Sequence, residues 1–301
     1  MQERGGGGAP ISTASEPFPG PAPDVVTVDV GDVSLGARRW RGGPGRPVLL
    51  VHGLSSNARL WDGVAARLAT AGHPVVALDL RGHGSSAGVP DPDDGRGATL
   101  TAAADLASAC ASLGWPAPVV AGQSWGGNVV LQLAAERPSL VRAIALVDGG
   151  WLHLGDRWPT LDAAWEVLAP PVFDGLTAAA LRARLRSAHP DWSGAAIEAT
   201  LGNLREHADG TVTPWLPRER HRAILGSMLA HRPRELYPRV RCRALLIAAT
   251  PDGMPSGTPP EAVAEALRLL PDGGLVAFPG GDHDLHAQHP DTVAELVGGL
   301  T

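Results

Sequence analysis

Short apolar runs alternate with amphipathic stretches along most of the chain. Val25 to Val30 and Val33 to Trp40 are rich in β-formers and flank the turn pair Gly31-Asp32, which predicts an antiparallel hairpin. Arg46 to Val51, Pro74 to Leu78, Ala117 to Val120, Arg142 to Val147, Arg243 to Ala249 and Gly274 to Phe278 read as six further strands. Between them, the spacing of Leu60, Trp61, Val64 and Leu68 and the stretches Thr99 to Leu113, Asn128 to Arg137, Pro260 to Leu270 and Pro290 to Leu300 predict helices. This alternation predicts an α/β fold, a mostly parallel eight-stranded sheet flanked by helices. In such a sheet functional groups collect in the loops at the carboxyl ends of strands, where His52, Asp79, Ser124 and Asp148 all fall.

The alternation stops at Trp151 and resumes near Arg241. No strand pattern occurs between them, and helices are expected near 161–169, 177–188, 193–207 and 217–231, with turns at Pro170-Pro171, His189-Pro190 and Asp209-Gly210. The expected organisation is a core of residues 24–150 and 241–301 with a helical insertion, 151–240, over the carboxyl edge of its sheet. Five of the nine tryptophans lie in the insertion, and Trp151 and Trp158, nearest its first stem, are expected to bury the apolar part of a substrate. Residues 1–23, rich in Gly, Pro and Ser, are expected to form a flexible tail.

Composition narrows the chemistry. The net charge of -6 argues against nucleic acid or an anionic membrane surface as partner. No lysine occurs, so a P-loop, a Schiff-base or pyridoxal-phosphate enzyme and a Ser-Lys catalyst are excluded. Cys110 and Cys242 have neither disulfide-framework nor zinc spacing. No apolar run reaches a membrane span and no secretion signal is visible at the start, so the cytoplasm is the expected compartment. Nothing in the sequence indicates an oligomeric state.

Ala121-Gly122-Gln123-Ser124-Trp125-Gly126-Gly127 joins a strand to a helix. A G-x-S-x-G turn in that context holds its serine at a strained bend with the hydroxyl exposed, which makes Ser124 the expected nucleophile. The Trp125 N–H, in the first turn of the helix, is free to donate to a developing oxyanion. A serine needs an imidazole to take its proton and a carboxylate to orient that imidazole.

His52-Gly53 after a strand, Asp79-x-Arg81-Gly82-x-Gly84-x-Ser86, Gly122-x-Ser124-x-Gly126 and the near-terminal His283 occur in an order and strand context that resembles the α/β-hydrolase superfamily. The resemblance implies His283 as general base and acid and the Leu54 N–H as second oxyanion donor beside Trp125. It implies Asp252 as the acid, with Asp148, after the strand that follows the elbow, as the alternative that some relatives use. It further implies a helical cap between the sixth and seventh strands and no cofactor. Asp282, where relatives more often carry glycine, departs from the pattern. Asp282 and Asp284 are expected to face solvent or cap a helix.

His283, His286 and His289 stand three apart rather than in the i, i+4 pair of a zinc helix, so no metal is expected. The arginines between Arg218 and Arg243 are expected on a solvated face rather than in an anion clamp. The expected activity is hydrolysis of a small-molecule carboxylic ester, partly apolar, through an acyl-enzyme. Lactone, thioester, amide or carbon-carbon cleavage and cofactor-free perhydrolysis are the alternatives on the same machinery, and a slow or non-catalytic ligand sensor is the alternative from another class.

Overall fold

The structure, a computed structural model, describes residues 20–91, 95, 97–250 and 260–301. Most of the expected tail, residues 1–19, therefore lies outside it, but Pro21 is docked: its carbonyl accepts the Trp40 indole N–H at 3.0 Å. The predicted hairpin is β1 (Asp24–Asp29) paired antiparallel with β2 (Ser34–Trp40). Then come β3 (Val48–Val51), α1 (Asp62–Thr70), β4 (Val75–Leu78), α2 (Ala98–Ser112), β5 (Val119–Gln123), α3 (Trp125–Glu136) and β6 (Ala143–Val147). The eight-stranded sheet has the order β1-β2-β4-β3-β5-β6-β9-β10, with β9 (Arg243–Thr250) and β10 (Gly273–Pro279) at the far edge. From β4 onward every pairing is parallel.

The parallel strands are short continuous apolar runs because both faces are covered. Their side chains still alternate. Leu49, Val51, Val76, Leu78, Val120, Ile144 and Leu146 join one core cluster with α2 and α3. Val48, Leu50, Val75, Ala77, Val119, Ala121, Ala143 and Ala145 join the other, against α1 and the last helix. The registers Val51↔Gly122 and Gln123↔Val147 bring the carboxyl ends of β3, β5 and β6 to one level. That level is where the polar loops emerge.

Between β6 and β9 lie α4 (Leu161–Leu168), α5 (Ala178–Ala188), α6 (Gly194–Leu201), β7 (Leu204–Glu206), β8 (Val212–Pro214), α7 (Arg218–Ala230) and α8 (Pro233–Leu236). Thr160, Thr177 and Ser193 cap the first three helices, each side chain accepting an N–H three residues on. The segment is not free of strands, as the sequence suggested. The helix expected over 193–207 stops at Leu201, and Leu204–Glu206 pairs antiparallel with Val212–Pro214 around Asp209-Gly210. Gly210 takes φ 80° and the Asp209 carboxylate accepts the Thr211 N–H at 3.0 Å, which fixes the turn. Three-residue strands are too short to leave a period-2 pattern. The chain closes with α9 (Pro260–Leu269), α10 (Leu285–Gln288) and α11 (Pro290–Gly298).

Two sequence motifs act as braces between these layers. The Asp79 carboxylate accepts the Ala58 N–H at 2.7 Å and the Ser85 N–H and hydroxyl at 2.9 and 2.6 Å. Arg81 is bidentate to buried Asp105 at 2.7 and 2.8 Å and also reaches Asp32.

Five histidines are buried: His52, His83, His221, His231 and His286. Burial pushes all five imidazoles down, His221 and His231 to about 4 and His286 to about 3. At these five positions the unfolded chain takes up protons near pH 6.5, whereas the folded chain takes them up only at lower pH. Stability is therefore lost as pH falls from 6.5, by up to about 1.4 kcal/mol per pH unit for each such histidine. We expect the melting temperature to drop steeply between pH 6.5 and 5. His286, which has both ring nitrogens unpartnered and lies 4.3 Å from the Trp61 ring, gives the test. Its replacement in His286→Phe is expected to flatten the pH dependence of melting, and an unchanged slope would remove His286 from the account.

Candidate active site

Ser124 sits between the last residue of β5 and the first of α3 with φ 53° and ψ -124°. Its backbone N–H is held by the Val147 carbonyl at 2.9 Å. A Cβ at Gly126 would stand 2.5 Å from the His52 carbonyl oxygen, and one at Gly53 would stand 3.0 Å from the Ser124 Cβ. The glycines thus let the loop after β3 lie directly on the elbow. Among the described residues only three other than glycine have positive φ: Ser55, Ser124 and Asp148. Such backbone is costly for a residue with a Cβ and persists where the surroundings enforce it.

His283 lies in the loop between β10 and α10, and its carbonyl accepts the Gln123 side-chain N–H at 3.1 Å. Its Nδ1 is 2.5 Å from Asp148 Oδ2, while Asp148 Oδ1 accepts the Ala249 N–H at 3.1 Å. The Asp148 side chain is 6% exposed and that of His283 54%. A carboxylate fixed on both oxygens orients the ring so that Nδ1 carries the proton and Nε2 is bare. The Ser124 hydroxyl and His283 Nε2 make no hydrogen bond among the described residues, and contacts of this kind tighten when substrate binds. Burial alone would lower the His283 pKa. The hydrogen bond to Asp148 and the charges of Asp284 and Asp148 outweigh it, and the imidazole is held above its ordinary value. Asp252, the expected acid, lies outside the described residues; the carboxylate that meets His283 is the alternative, Asp148.

Neither the Leu54 nor the Trp125 N–H donates a hydrogen bond among the described residues. The peptides on either side of Leu54 are clamped by two histidines. His52 Nε2 accepts the Leu80 N–H at 3.0 Å, so its Nδ1–H donates to the Gly53 carbonyl at 2.7 Å. His83 Nε2 accepts the Ser55 N–H at 3.2 Å, so its Nδ1–H donates to the Arg81 carbonyl at 3.0 Å. Each clamp requires a neutral ring, and burial supplies one.

A cavity of about 280 Å³ lies between these loops and the segment after β6. Ser55, His83 and Gly84 line it from the core; Phe173, Leu181 and Trp215 are among the residues that line it from the other side. Trp151 and Trp158 do not. Trp151 is 3% exposed within the main core, and Trp158 packs against that core under Arg157. The sequence signal for the cavity wall was the pair Leu181 and Leu185, four apart on a helix otherwise rich in arginine. Nothing local marked Trp215.

The segment after β6 touches both loops of the site. Ser55 Oγ is 2.7 Å from His221 Nδ1, and Asp282 Oδ2 accepts from His189 Nδ1 at 2.8 Å and Trp192 Nε1 at 3.0 Å. Asp282 thus neither faces solvent alone nor caps a helix. The arginines between Arg218 and Arg243 are mostly exposed, as expected of a solvated face. Arg220 is the more covered one that pairs with Asp91, while exposed Arg218 lies over the Trp165 ring and exposed Arg234 meets Glu265. His286 and His289 turn to Trp61 and Phe278, and the described residues contain no group of three or more His, Cys, Asp or Glu placed to hold a metal ion. No described helix is long and apolar enough to cross a membrane.

Comparison with known proteins agrees with this architecture. Residues 46–199 match the family described as alpha/beta hydrolase fold. The chain is 31% identical to a pimeloyl-[acyl-carrier protein] methyl ester esterase of Chromobacterium violaceum, over 82% of this chain and 91% of that one. It is 40% identical to an esterase of Mycobacterium tuberculosis, over 43% of this chain and 40% of that protein's length. The crystal structure of an E-2-(acetamidomethylene)succinate hydrolase superposes with a TM-score of 0.72 at 24% identity, over 92% of this chain and 98% of that one. A match over half of the chain, together with a relative aligned over most of its length, establishes that this protein belongs to the α/β-hydrolase family.

Proposed function

We propose that the protein is a serine hydrolase that cleaves a carboxylic ester of a small to medium, uncharged and partly apolar substrate. The observation that carries the reading is the 2.5 Å contact between His283 Nδ1 and Asp148, beside the elbow serine. Ser124 Oγ attacks the carbonyl carbon as His283 Nε2 takes its proton, and the Leu54 and Trp125 N–H groups hold the oxyanion. The imidazolium then protonates the departing alcohol, leaving an acyl-Ser124. Water, activated by the same nitrogen, releases the acid and restores the serine. Asp148 orients the ring and stabilises its charged form throughout.

The cavity supports the substrate class. It meets the site at Ser55, next to Leu54, rather than at Ser124 or His283. Apart from His83, whose ring is neutral, its described lining holds no ionisable side chain, and its wall is mostly Leu, Phe, Pro and Trp with Ser56, Thr200 and Asn203 as uncharged polar members. A dicarboxylate of the succinate type would enter it without a cation to pair with, at a high cost in desolvation. An uncharged aliphatic or aromatic ester is accommodated without that cost. The segment 151–240 acts in this reading as the cap.

Ser124→Ala is expected to lower kcat for p-nitrophenyl esters by roughly 10⁴- to 10⁶-fold with an unchanged circular dichroism spectrum. Asp148→Asn is expected to lose about 10⁴-fold, because the amide favours the wrong imidazole tautomer, and Asp252→Asn far less. The reverse ranking would return the acid's role to Asp252. Because His283 must be neutral to act as base and its pKa is held up, kcat/KM is expected to rise through an apparent pKa above 6.5. A midpoint well below that value would contradict the Asp148 contact. Trp215→Ala, which enlarges the cavity, is expected to favour longer over shorter acyl chains by about tenfold in relative kcat/KM. A uniform loss across chain lengths would mean that the ring only supports its own segment.

A further inference from the structure

Ser55 is the one non-glycine residue in left-handed backbone, among the three such described, that takes no step in the proposed reaction. It follows the oxyanion donor Leu54 directly and has φ 57°. Glycine or asparagine would occupy such a turn at lower cost, so the turn alone does not account for a serine. What the serine adds is its hydroxyl, 2.7 Å from Nδ1 of His221 on α7. The two groups form a hydrogen bond in which, with the proton of the neutral ring on Nε2, Nδ1 accepts from the Ser55 hydroxyl. His221 is 6% exposed and meets the Trp165 ring edge-on at 5.9 Å. Burial lowers its pKa to about 4, which keeps it a neutral acceptor at working pH.

We propose that the Ser55–His221 hydrogen bond is a latch through which the inserted helix α7 holds the oxyanion loop in its working shape. Ser55 and His221 are then positioning residues for the Leu54 N–H, and this rests on the serine-hydrolase reading above. The loop is mounted at three points: the Gly53 carbonyl on His52, the Ser55 N–H on His83, and the Ser55 hydroxyl on His221. The first two mounts belong to the core. Of these three only the last depends on where the insertion sits. Further along the loop the Asn57 side chain also donates to the Ala199 carbonyl and to Asn203 of the insertion, and the Ser55 mount is the one next to Leu54 that makes a complete oxyanion hole conditional on a closed cap. Helix α7 has other anchors, Arg220 on Asp91 at 2.6 Å and Ser227 on the Thr99 N–H at 3.0 Å. Loss of the latch therefore leaves the helix docked and acts on the loop alone.

The test uses Ser55→Gly, His221→Phe, their combination, and His221→Asn, whose amide oxygen can stand in for Nδ1. Ester kinetics, the rate of fluorophosphonate labelling at Ser124, melting temperature and amide exchange of the 53–57 loop are read on each. Ser55→Gly eases the backbone, so a merely structural serine predicts equal or better activity. The latch predicts that kcat and labelling rate fall by about ten- to a hundredfold, with KM within about twofold and the melting temperature unchanged or raised. His221→Phe should match it, the double variant should be no worse than either single one, and His221→Asn should recover part of the loss. Faster exchange in the loop should accompany each loss. Wild-type kinetics in Ser55→Gly, or losses that multiply in the double variant, would overturn the latch. If wild-type Ser124 is neither labelled nor turns over any ester, the serine-hydrolase reading fails on its own. The exchange measurement still decides the latch: unchanged loop protection in both single variants overturns it.

Discussion

The site depends on a close meeting of backbones at the carboxyl edge of the sheet. The ends of β3, β5 and β6 emerge at one level, and each of the segments that follow must pass within van der Waals reach of Ser124. Gly53 and Gly126 remove the Cβ atoms that would hold the first of them away, and Gly149 lies against the Ser124 carbonyl. Once these segments touch, the free N–H groups of Leu54 and Trp125, the serine hydroxyl and Asp148 are neighbours without any side chain having to reach far. Preorganisation here is a property of strand register and missing methyl groups. The strain that results falls at Ser55, Ser124 and Asp148, the three residues other than glycine with positive φ among those described, one in each of these segments.

The second layer of order comes from histidines kept neutral. His52 and His83 each accept one backbone N–H and donate to one carbonyl, a pairing that only an uncharged imidazole can make. His231 makes the same pairing with side chains, its Nδ1 accepting from the Asn128 amide and its Nε2–H donating to the Gln132 amide oxygen. Asn128 in turn holds the Gly150 N–H at 2.9 Å. These rings fix the loops with single-point bonds of both polarities, which neither a lysine nor a carboxylate supplies. The same choice makes the fold sensitive to acid, because every clamp fails on protonation. His283 is the contrast: half exposed and paired with Asp148, its ring is held above the ordinary imidazole pKa rather than below it.

Much of this was legible in the sequence, and the exceptions have physical causes. The strands and the elbow were readable because their patterns are local: an apolar run, glycines two residues either side of a serine, then a helix. The choice between Asp148 and Asp252 was not, since both aspartates follow strands on the same edge and only the reach to His283 separates them. Asp252 lies outside the described residues, while Asp148 shares its register level with Ser124 and meets His283 directly. The hairpin at 204–214 was hidden because three-residue strands carry no periodicity, and Gly202-Asn203, which ends α6, reads as weak helix until Asn203 is seen bonded to Asn57. Trp151 and Trp158 were expected at the substrate because they stand nearest the first stem of the insertion along the chain. Folding buries the first in the core and brings Trp215, far later in sequence, to the cavity instead.

The insertion is joined to the core at both working loops, and this shapes how selectivity and rate are connected. Ser55 meets His221 on the oxyanion side, and Asp282, adjacent to His283, meets His189 and Trp192 on the base side. Asp282 occupies a position where glycine would offer His189 and Trp192 no side chain to meet. Its carboxylate gathers an imidazole and an indole N–H from the turn between α5 and α6, and Gln288 ties the same loop to Asp191 at 2.6 Å. Helix α5, which ends at that turn, also carries Leu181 and Leu185 of the cavity wall. The cavity wall and the struts on the loops of Ser55 and His283 are therefore parts of the same elements. Under the proposed serine-hydrolase reading, a substrate that fits beneath the insertion keeps these contacts in place, whereas one that props the insertion away loosens both loops. In such an arrangement discrimination between substrates falls on the chemical step as well as on binding, because fit is transmitted to the reacting groups through hydrogen bonds of fixed length.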